Sequence, residues 1–356
     1  MTAPAPPAPP DDAAPPRTVE ELEERLSRPT GGVRSVLGRL AGDVLVLGAG
    51  GKMGPSLARM ARRALDEAGG VNAGRRVIAV SRFHDEAARR QLEEWGVRTV
   101  SADLADRRAV AGLPDAPNVV YMAGQKFGTA DVPARTWGAN AYVPAIVAER
   151  YAGSRIVAFS TGNVYPNTPA PGRGAAEDHA LTPIGEYANS CVARERVMEF
   201  VCERTATRLA IVRLSYAVDL RYGVLVDLAQ RVLRGEPIDV RTAYVNVIWQ
   251  GDASAQALQC LARADTPPFV VNVTGAEQLS VPDLARRLGR LLRRDPRLVG
   301  IAAPDALLSD TSLAQRLFGP PSVPAALLVQ WVAAWLLAGG ATLGKPTKFE
   351  VRDGRF

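Results

Sequence analysis

Short runs of hydrophobic residues alternate along the chain with longer segments in which hydrophobic residues recur every three or four positions. The short runs are rich in β-branched residues, which is typical of strands buried on both faces of a sheet. They predict strands at 44–47, 76–80, 97–101, 118–122, 155–160 and 209–214. The longer segments predict helices at 55–68, 85–95 and 140–150. This alternation predicts an α/β fold, a doubly wound parallel sheet with right-handed crossovers.

The pattern also divides the chain into four parts. Residues 1–17 are rich in Pro and Ala, and we expect them to be disordered. Residues 18–42 predict two short helices that cover the following domain. Residues 43–214 carry the regular alternation and predict a Rossmann dinucleotide-binding domain. The pattern loosens over 215–356, which predicts a smaller C-terminal substrate-binding lobe and C-terminal helices, part of which returns to the Rossmann domain.

One hydrophobic stretch, 323–343, is long enough to raise the question of a membrane span. Pro324 and a Gly339–Gly340 pair interrupt it and leave about 14 residues for a continuous helix, fewer than the roughly 20 that a span requires. We therefore expect a buried helix that carries Trp331 and Trp335, and no membrane partner.

Composition narrows the class of protein. The chain has 356 residues, 47% of them hydrophobic and 22% charged, which fits a folded globular protein. The net charge of +6 is spread over short arginine pairs without aromatic residues between them, so we expect a solvated basic surface and no nucleic-acid partner. Three cysteines and two histidines predict neither a disulfide framework nor a metal site, and a cytoplasmic location is expected.

A glycine-rich turn is the first motif that points to chemistry. Gly48, Gly51 and Gly54 lie between the first strand and the first long helix. Glycines in this place let the backbone approach a pyrophosphate at the helix N-terminus. The spacing is not G-x-G-x-x-G, since Met53 holds the last glycine's place, and no Ser or Thr follows Lys52 as a P-loop requires. The strand–turn–helix context favours dinucleotide binding over a purely structural turn.

The end of the second strand bears on the choice of coenzyme. An acidic residue there would bind the ribose 2′-hydroxyl of NAD, whereas an arginine would accept the 2′-phosphate of NADP. The sequence has Ser81 and Arg82 at this place, which favours NADP. Asp85 follows only slightly later, so NAD stays open.

Further segments follow the glycine turn in a fixed order: 103–104 (DL), 121–126 (YMAGQK), 159–165 (FSTGNVY) and 183–187 (PIGEY). Together these motifs resemble the extended short-chain dehydrogenase/reductase family, in its NAD-dependent epimerase/dehydratase group, over about residues 43–300. Segments 246–252 and 271–275 also resemble substrate-lobe segments of that family.

The resemblance implies a set of coenzyme contacts and a catalytic pair. The implied contacts are Gly48, Gly51, Lys52, Met53, Gly54, Ser81, Arg82, Asp103, Leu104, Ala123, Gly124, Lys126, Asn140 and Tyr187. In such a site the Tyr187 hydroxyl exchanges a proton with the substrate oxygen while hydride moves to or from nicotinamide, and Thr161 orients the same oxygen. The family also carries a lysine four residues after the tyrosine, which lowers the pKa of the phenol.

This chain has Cys191 at the position of that lysine. A thiol is neutral near pH 7, and an unperturbed tyrosine is then phenolate in about one molecule in a thousand. Supplying the phenolate costs roughly 4 kcal/mol, which handicaps alcohol oxidation more than carbonyl reduction.

Only four of the 43 basic residues are lysines, so few side chains can replace the missing ammonium. Lys126 is the candidate that we expect near Tyr187; the alternative is a surface lysine on a mobile loop. Lys52 is expected to face pyrophosphate or solvent. Lys345 and Lys348 belong to a late tail and are not expected at the site.

Two functions follow from these residues. The first is an NAD(P)-dependent oxidoreductase or epimerase that acts on a sugar, sugar nucleotide or polyol by tyrosine-assisted hydride transfer. The second is a catalytically weakened NAD(P)-binding protein, a redox sensor or a complex subunit, which the loss of the lysine favours. Tyr216 and Arg221 follow the sixth strand and are candidate substrate contacts. The resemblance also implies a homodimer through helices 140–150 and 187–204.

Overall fold

The computed structural model describes residues 14–69, 74–128 and 131–355. Of the tail expected to be disordered, residues 1–13 lie outside the described residues. The α-helices are α1 (Val19–Leu26), α2 (Gly31–Arg39), α3 (Gly54–Ala68), α4 (Glu86–Glu94), α5 (Arg107–Ala111), α6 (Pro133–Trp137), α7 (Val143–Arg150), α8 (Gly185–Arg204), α9 (Val224–Arg234), α10 (Gln250–Gln259), α11 (Val281–Leu292), α12 (Ser312–Phe318) and α13 (Ala325–Leu337).

The strands are β1 (Val44–Leu47), β2 (Val77–Ser81), β3 (Arg98–Ser101), β4 (Asn118–Tyr121), β5 (Arg155–Thr161), β6 (Thr168–Pro169), β7 (Arg208–Leu214), β8 (Ala217–Val218), β9 (Pro237–Asp239), β10 (Tyr244–Val245), β11 (Ile248–Trp249), β12 (Phe269–Val273), β13 (Leu279–Ser280), β14 (Arg297–Val299) and β15 (Asp305–Ala306). A π-helical turn, Gly138–Tyr142, directly precedes α7.

Seven parallel strands form the main sheet in the order β12-β7-β5-β4-β1-β2-β3. The predicted doubly wound parallel sheet is therefore confirmed. Strand β1 pairs with β2 on one side and with β4 on the other, so the winding direction reverses between β1 and β4. Ligands of such sheets bind in the crevice outside the carboxyl ends of the strands at this reversal.

Alternating side chains of the sheet enter two separate cores. Val44 and Val46 of β1 pack on the face covered by α2, α3 and α10, whereas Leu45 and Leu47 pack on the opposite face with residues of α5, α7 and α8. Because helices cover both faces, β1 is hydrophobic at all four positions and its central neighbours are mostly hydrophobic. This rigid support fixes the strand ends that carry the site.

Helices α9, α11 and α13 form a third core beyond the main sheet, and α1 contributes Leu22 and Leu26 to it. Trp331 and Trp335 of α13 are buried there, as the sequence predicts. None of the helices in the described part of the chain is long and apolar enough to cross a membrane.

One segment differs from its sequence interpretation. Residues 271–275, which resemble a substrate-lobe segment, overlap strand β12, and β12 pairs with β7 at the edge of the main sheet. Val271 and Val273 belong to the same core as Val44 and Val46, which explains why the chain returns here.

A buried ion pair joins α8 to the sheet directly behind the site. The guanidinium of Arg213 lies 2.8 Å from the carboxylate of Glu195, and both side chains are almost fully buried. The same guanidinium donates to the hydroxyl of Tyr165 at 2.7 Å. The Ser160 hydroxyl donates to Glu195, so β5, β7 and α8 share one polar network.

Replacing Glu195 by glutamine removes the charge that neutralises Arg213. Breaking a buried pair costs about 3–5 kcal/mol, and we expect the free energy of unfolding in urea to fall by about 3 kcal/mol. Glu199→Gln is the matched control, because Glu199 pairs with the exposed Arg196 on the same helix and such pairs contribute less than about 1 kcal/mol. Equal losses in the two variants would contradict this account.

Candidate active site

Two glycines of the turn, Gly48 and Gly54, leave no space for a side chain. Gly48 has φ +86°, and a Cβ atom on it would lie 2.6 Å from the backbone nitrogen of Ala123. A Cβ atom on Gly54 would lie 2.3 Å from the carbonyl oxygen of Ala49. Within the described chain, no side chain caps the N-terminus of α3 at Met53. The turn therefore offers close backbone approach and uncapped amide groups to an anion.

Two cavities meet at this turn and form one elongated cleft. The larger cavity, about 980 Å³, extends over the ends of β2 and β3, and the smaller cavity, about 310 Å³, extends toward α8. They share six wall residues: Gly48, Gly51, Met122, Gly124, Gln125 and Phe127. This elongated shape fits a dinucleotide whose two halves lie on either side of a pyrophosphate. The pyrophosphate would lie against the backbone of the glycine turn.

The structure distributes the predicted residues between these cavities. Those that line the larger cavity are Gly48, Gly51, Ser81, Arg82, Asp103, Leu104, Ala123 and Gly124. Those that line the smaller cavity are Gly48, Gly51, Lys52, Met53, Gly54, Gly124, Lys126, Thr161 and Tyr187. Asn140 lines neither cavity and is fully buried behind them.

Two residues at the end of β2 differ in their availability. Arg82 is exposed at the mouth of the larger cavity. One carboxylate oxygen of Asp85 accepts from the backbone amides of Ala87 at 2.9 Å and Ala88 at 3.3 Å. Asp85 therefore caps α4, which leaves the arginine as the more accessible of the two charged side chains.

Tyr187 lies in the first turn of α8 and lines the smaller cavity. Its hydroxyl is hydrogen-bonded to Thr161, which in turn is fixed by Asn163: the Thr161 hydroxyl donates to the Asn163 side chain at 3.0 Å. Burial raises the pKa of Tyr187 well above its ordinary value. The phenol is therefore protonated near neutral pH and can act as a proton donor.

The neighbours of Tyr187 include a neutral thiol, Cys191, and an ammonium group, that of Lys126. Cys191 is fully buried, and burial raises the pKa of its thiol, so it is neutral. The ammonium of Lys126 lies 5.8 Å from the centre of the Tyr187 ring. Burial lowers the pKa of Lys126 to about 8, which leaves it mostly charged at pH 7.

A second cation near the phenol comes from Arg194, which the sequence analysis missed. Its guanidinium is buried and donates to the Phe159 carbonyl at 2.7 Å and to the Asn140 side-chain oxygen at 2.7 Å. Its charge favours the ionised form of Tyr187 and so opposes the effect of burial on the pKa of that phenol. Arg194 therefore supplies positive charge from one turn beyond Cys191.

Asn140 connects the Arg194 guanidinium to the loop that follows β4 and contains Gly124 and Gln125. Its side chain accepts from the backbone amide of Gln125 and donates to the carbonyl of the same residue, both at 2.8 Å. Pro144 has no N–H to donate to the Asn140 carbonyl four residues earlier. The Nε of Arg194 donates to that carbonyl instead, at 3.4 Å. A Cβ atom on Gly124 would lie 2.4 Å from Arg194, so the loop needs glycine there.

Lys52 is partly buried and lines the smaller cavity. Its ammonium lies 3.1 Å from the centre of the Tyr222 ring and 5.2 Å from that of Phe127, inside the smaller cavity. Burial and the charges of Lys126 and Lys345 lower the pKa of Lys52 to about 8.

The two candidate substrate contacts beyond β7 have different positions. Tyr216 lines the smaller cavity. Arg221 does not; it forms ion pairs of 2.6 Å with Glu23 and 2.8 Å with Asp219 and so joins α1 to the lobe.

The spacing of Arg194 could have identified it from the sequence, but only lysines were considered as the cation near Tyr187. It lies seven residues after Tyr187 and three after Cys191, on the same face of one helix. Tyr222 and Phe127 had no comparable signal, because aromatic residues after a strand end are equally typical of packing.

The model of the NAD dependent epimerase/dehydratase family matches residues 44–242, more than half of the chain. No curated protein sequence matches this chain.

Solved structures with low sequence identity share the fold. UDP-glucose 4-epimerase of Thermotoga maritima, solved with UDP-glucose, is 18% identical with a TM-score of 0.68 over 83% of this chain and 99% of its own. MoeE5, solved with UDP-glucuronic acid and NAD, is 21% identical with a TM-score of 0.67 over 84% of this chain and 100% of its own. UDP-glucuronic acid 4-epimerase of Bacillus cereus, solved with NAD, is 17% identical with a TM-score of 0.68 over 83% and 98%.

The small number of lysines makes their titration measurable. After reductive ¹³C-methylation, we expect two lysine resonances to titrate near pH 8, because burial favours the neutral form of Lys52 and Lys126. Lys52→Met and Lys126→Met should each remove one of these resonances from the NMR spectrum. Titration of every lysine near its ordinary value of 10.5 would contradict the described cavity.

Proposed function

The chain belongs to the NAD dependent epimerase/dehydratase family, and we propose that it is an NAD(P)-dependent oxidoreductase or epimerase. Its proposed substrate is a sugar, sugar nucleotide or polyol. The observation that carries the proposal is the shared cavity of the glycine turn, Thr161 and Tyr187. Hydride transfer to a carbonyl requires a bound coenzyme and a proton donor beside it. The glycine turn and Tyr187 would supply these in one cavity.

The residues of the cleft fit a nicotinamide dinucleotide. The uncapped amides of α3 would hold the pyrophosphate, and the larger cavity, with Asp103 and Leu104, would hold the adenosine half. The nicotinamide half would lie in the smaller cavity, beside Tyr187. When bound, the coenzyme donates or accepts the hydride.

The side chains near the reacting oxygen favour the carbonyl-reducing direction. Tyr187, protonated because of its burial, donates a proton to the substrate oxygen, and Thr161 hydrogen-bonds and orients that oxygen. The phenolate that forms is stabilised by the charges of Lys126 and Arg194. Alcohol oxidation begins from the phenolate and is correspondingly harder.

The second candidate function is a coenzyme-binding protein with little or no turnover. The buried, neutral Cys191 favours it, because the family's ammonium is absent at that position. Coenzyme binding without turnover over a broad panel of carbonyl sugars and nucleotide sugars would support this function over the first.

The proton donor is tested by Tyr187→Phe, which keeps the ring and removes the hydroxyl. Because general acid catalysis contributes about 10²–10⁴-fold, we expect the rate of carbonyl reduction to fall by about 100-fold or more. The affinity for NAD(P)H, measured by fluorescence titration, should stay within about threefold. Wild-type turnover by this variant would overturn the assignment.

The charge near the phenol is tested by Lys126→Met. We expect about a tenfold slower reduction, because one pKa unit of lost stabilisation corresponds to a factor of ten. Lys126→Arg should recover most of the rate and abolish the decline above pH 8 that the lysine of the wild type causes. Lys348→Met is the control. An unchanged pH profile in Lys126→Arg would contradict the role of the lysine.

We propose NADP as the preferred coenzyme, although the neighbouring structures named above were solved with NAD. The exposure of Arg82 and the capping role of Asp85 support a contact to a 2′-phosphate. Hydrogen bonds to charged groups contribute about 1.5–3 kcal/mol, so Arg82→Ala should weaken NADPH binding about tenfold or more. NADH binding should change less than about twofold, and Arg90→Ala is the control. Tighter binding of NADH than NADPH by the wild type would refute this preference.

The oligomeric state and the cellular location are also proposals. A homodimer through α7 and α8 is supported by the exposed Phe200 and Tyr142, at 59% and 48% exposure. A reducing, cytoplasmic location is supported by Cys191, Cys202 and Cys260, which are all free and buried.

A further inference from the structure

The lysines of this chain have an uneven distribution in space. Only four of the 43 basic residues are lysines. Lys52 and Lys126 line the smaller cavity, and Lys345 is close enough to Lys52 to lower its pKa. Two of the four lysines thus line one small cavity beside Tyr187, and a third interacts electrostatically with one of them.

The ammonium of Lys52 has no carboxylate ion-pair partner among the described residues. The two nearest acidic side chains are engaged elsewhere. Asp219 is ion-paired with Arg221 at 2.8 Å. Asp227 accepts from the backbone amide and the hydroxyl of Thr347, at 2.7 and 2.6 Å. Neither carboxylate forms an ion pair with Lys52, although the charges of both favour its protonated form.

The position of Lys345 is fixed from both sides, although the sequence analysis did not expect it at the site. Two residues before it, Leu343 donates its amide to the carbonyl of Arg221 at 3.0 Å. Two residues after it, Thr347 is bound to Asp227 and lines the cavity. The C-terminal segment thus holds the exposed Lys345 near enough to Lys52 for the two charges to interact.

We propose that Lys52 and Lys345 bind an anionic group, a carboxylate or a phosphate, on the sugar unit that reacts at Tyr187. The inference rests on the proposed function and names its substrate class. Because the two ammonium groups repel each other and burial penalises that of Lys52, an anion between them relieves both costs.

Lys52 has one competing partner, the pyrophosphate of the coenzyme, because it belongs to the glycine turn. The two assignments differ in which affinity the side chain controls. A substrate contact changes the affinity for charged sugars, whereas a coenzyme contact changes the affinity for NAD(P)H.

The experiment uses calorimetry on the full chain saturated with NADP, with two pairs of probes. The first pair, UDP-glucuronic acid and UDP-glucose, differs by a carboxylate; the second, glucose 6-phosphate and glucose, differs by a phosphate. We expect the wild type to bind the charged member of at least one pair at least tenfold more tightly, and that pair identifies the group. Lys52→Met should abolish this preference and Lys345→Met should reduce it about threefold, with Lys348→Met as the matched control.

Three results would overturn the inference. They are the absence of a preference in both pairs, a preference that Lys52→Met leaves intact, and a loss in Lys52→Met that falls on NAD(P)H alone. Failure of the proposed function is distinguishable, because it appears as absent NAD(P)H binding by the wild type. Calorimetry needs no turnover, so a catalytically weak protein still gives a result.

Discussion

The buried guanidinium of Arg194 is the interaction on which the site depends. It donates to the Phe159 carbonyl of β5 and to the side chain of Asn140 in the π-helical turn. Asn140 in turn accepts from the backbone amide of Gln125, in the loop that follows β4. A buried cation with these partners is costly to move, because every hydrogen bond would have to be replaced. The loop, the strand end and α8 therefore keep one geometry, and Tyr187 is aligned with the glycine turn.

The same interaction bears on Cys191, which holds the position where the family resemblance implies a lysine. Position 191 lies against Tyr187 and contributes no charge. Positive charge reaches the phenol instead from Lys126 on the loop and from Arg194 one helical turn further along. Neither cation restores an easily ionised phenol, since burial still raises the pKa of Tyr187. A protonated phenol can donate a proton, and the proposed preference for carbonyl reduction rests on this property.

The sequence predicted the sheet well because its central strands are buried on both faces and are therefore mostly hydrophobic. The glycine turn was equally clear, since Gly48 and Gly54 occupy places where a Cβ atom would collide with backbone. The direction of the Lys52 side chain could not be predicted from the sequence, because it depends on a contact with Tyr222 from a distant part of the chain. The role of Lys345 depends on how the C-terminal segment is tethered, and β12 joins the sheet through long-range pairing that no local pattern encodes.

The central claim is that one cleft places a nicotinamide ring beside Tyr187. A crystal structure of the protein grown with NADPH tests it most directly. We expect the pyrophosphate against the amides of α3, the adenosine in the larger cavity, and the nicotinamide ring in the smaller cavity within hydrogen-bonding reach of a substrate oxygen held by Thr161 and Tyr187. A cleft without coenzyme at saturating NADPH and NADH, or a nicotinamide ring outside the smaller cavity, would contradict the account.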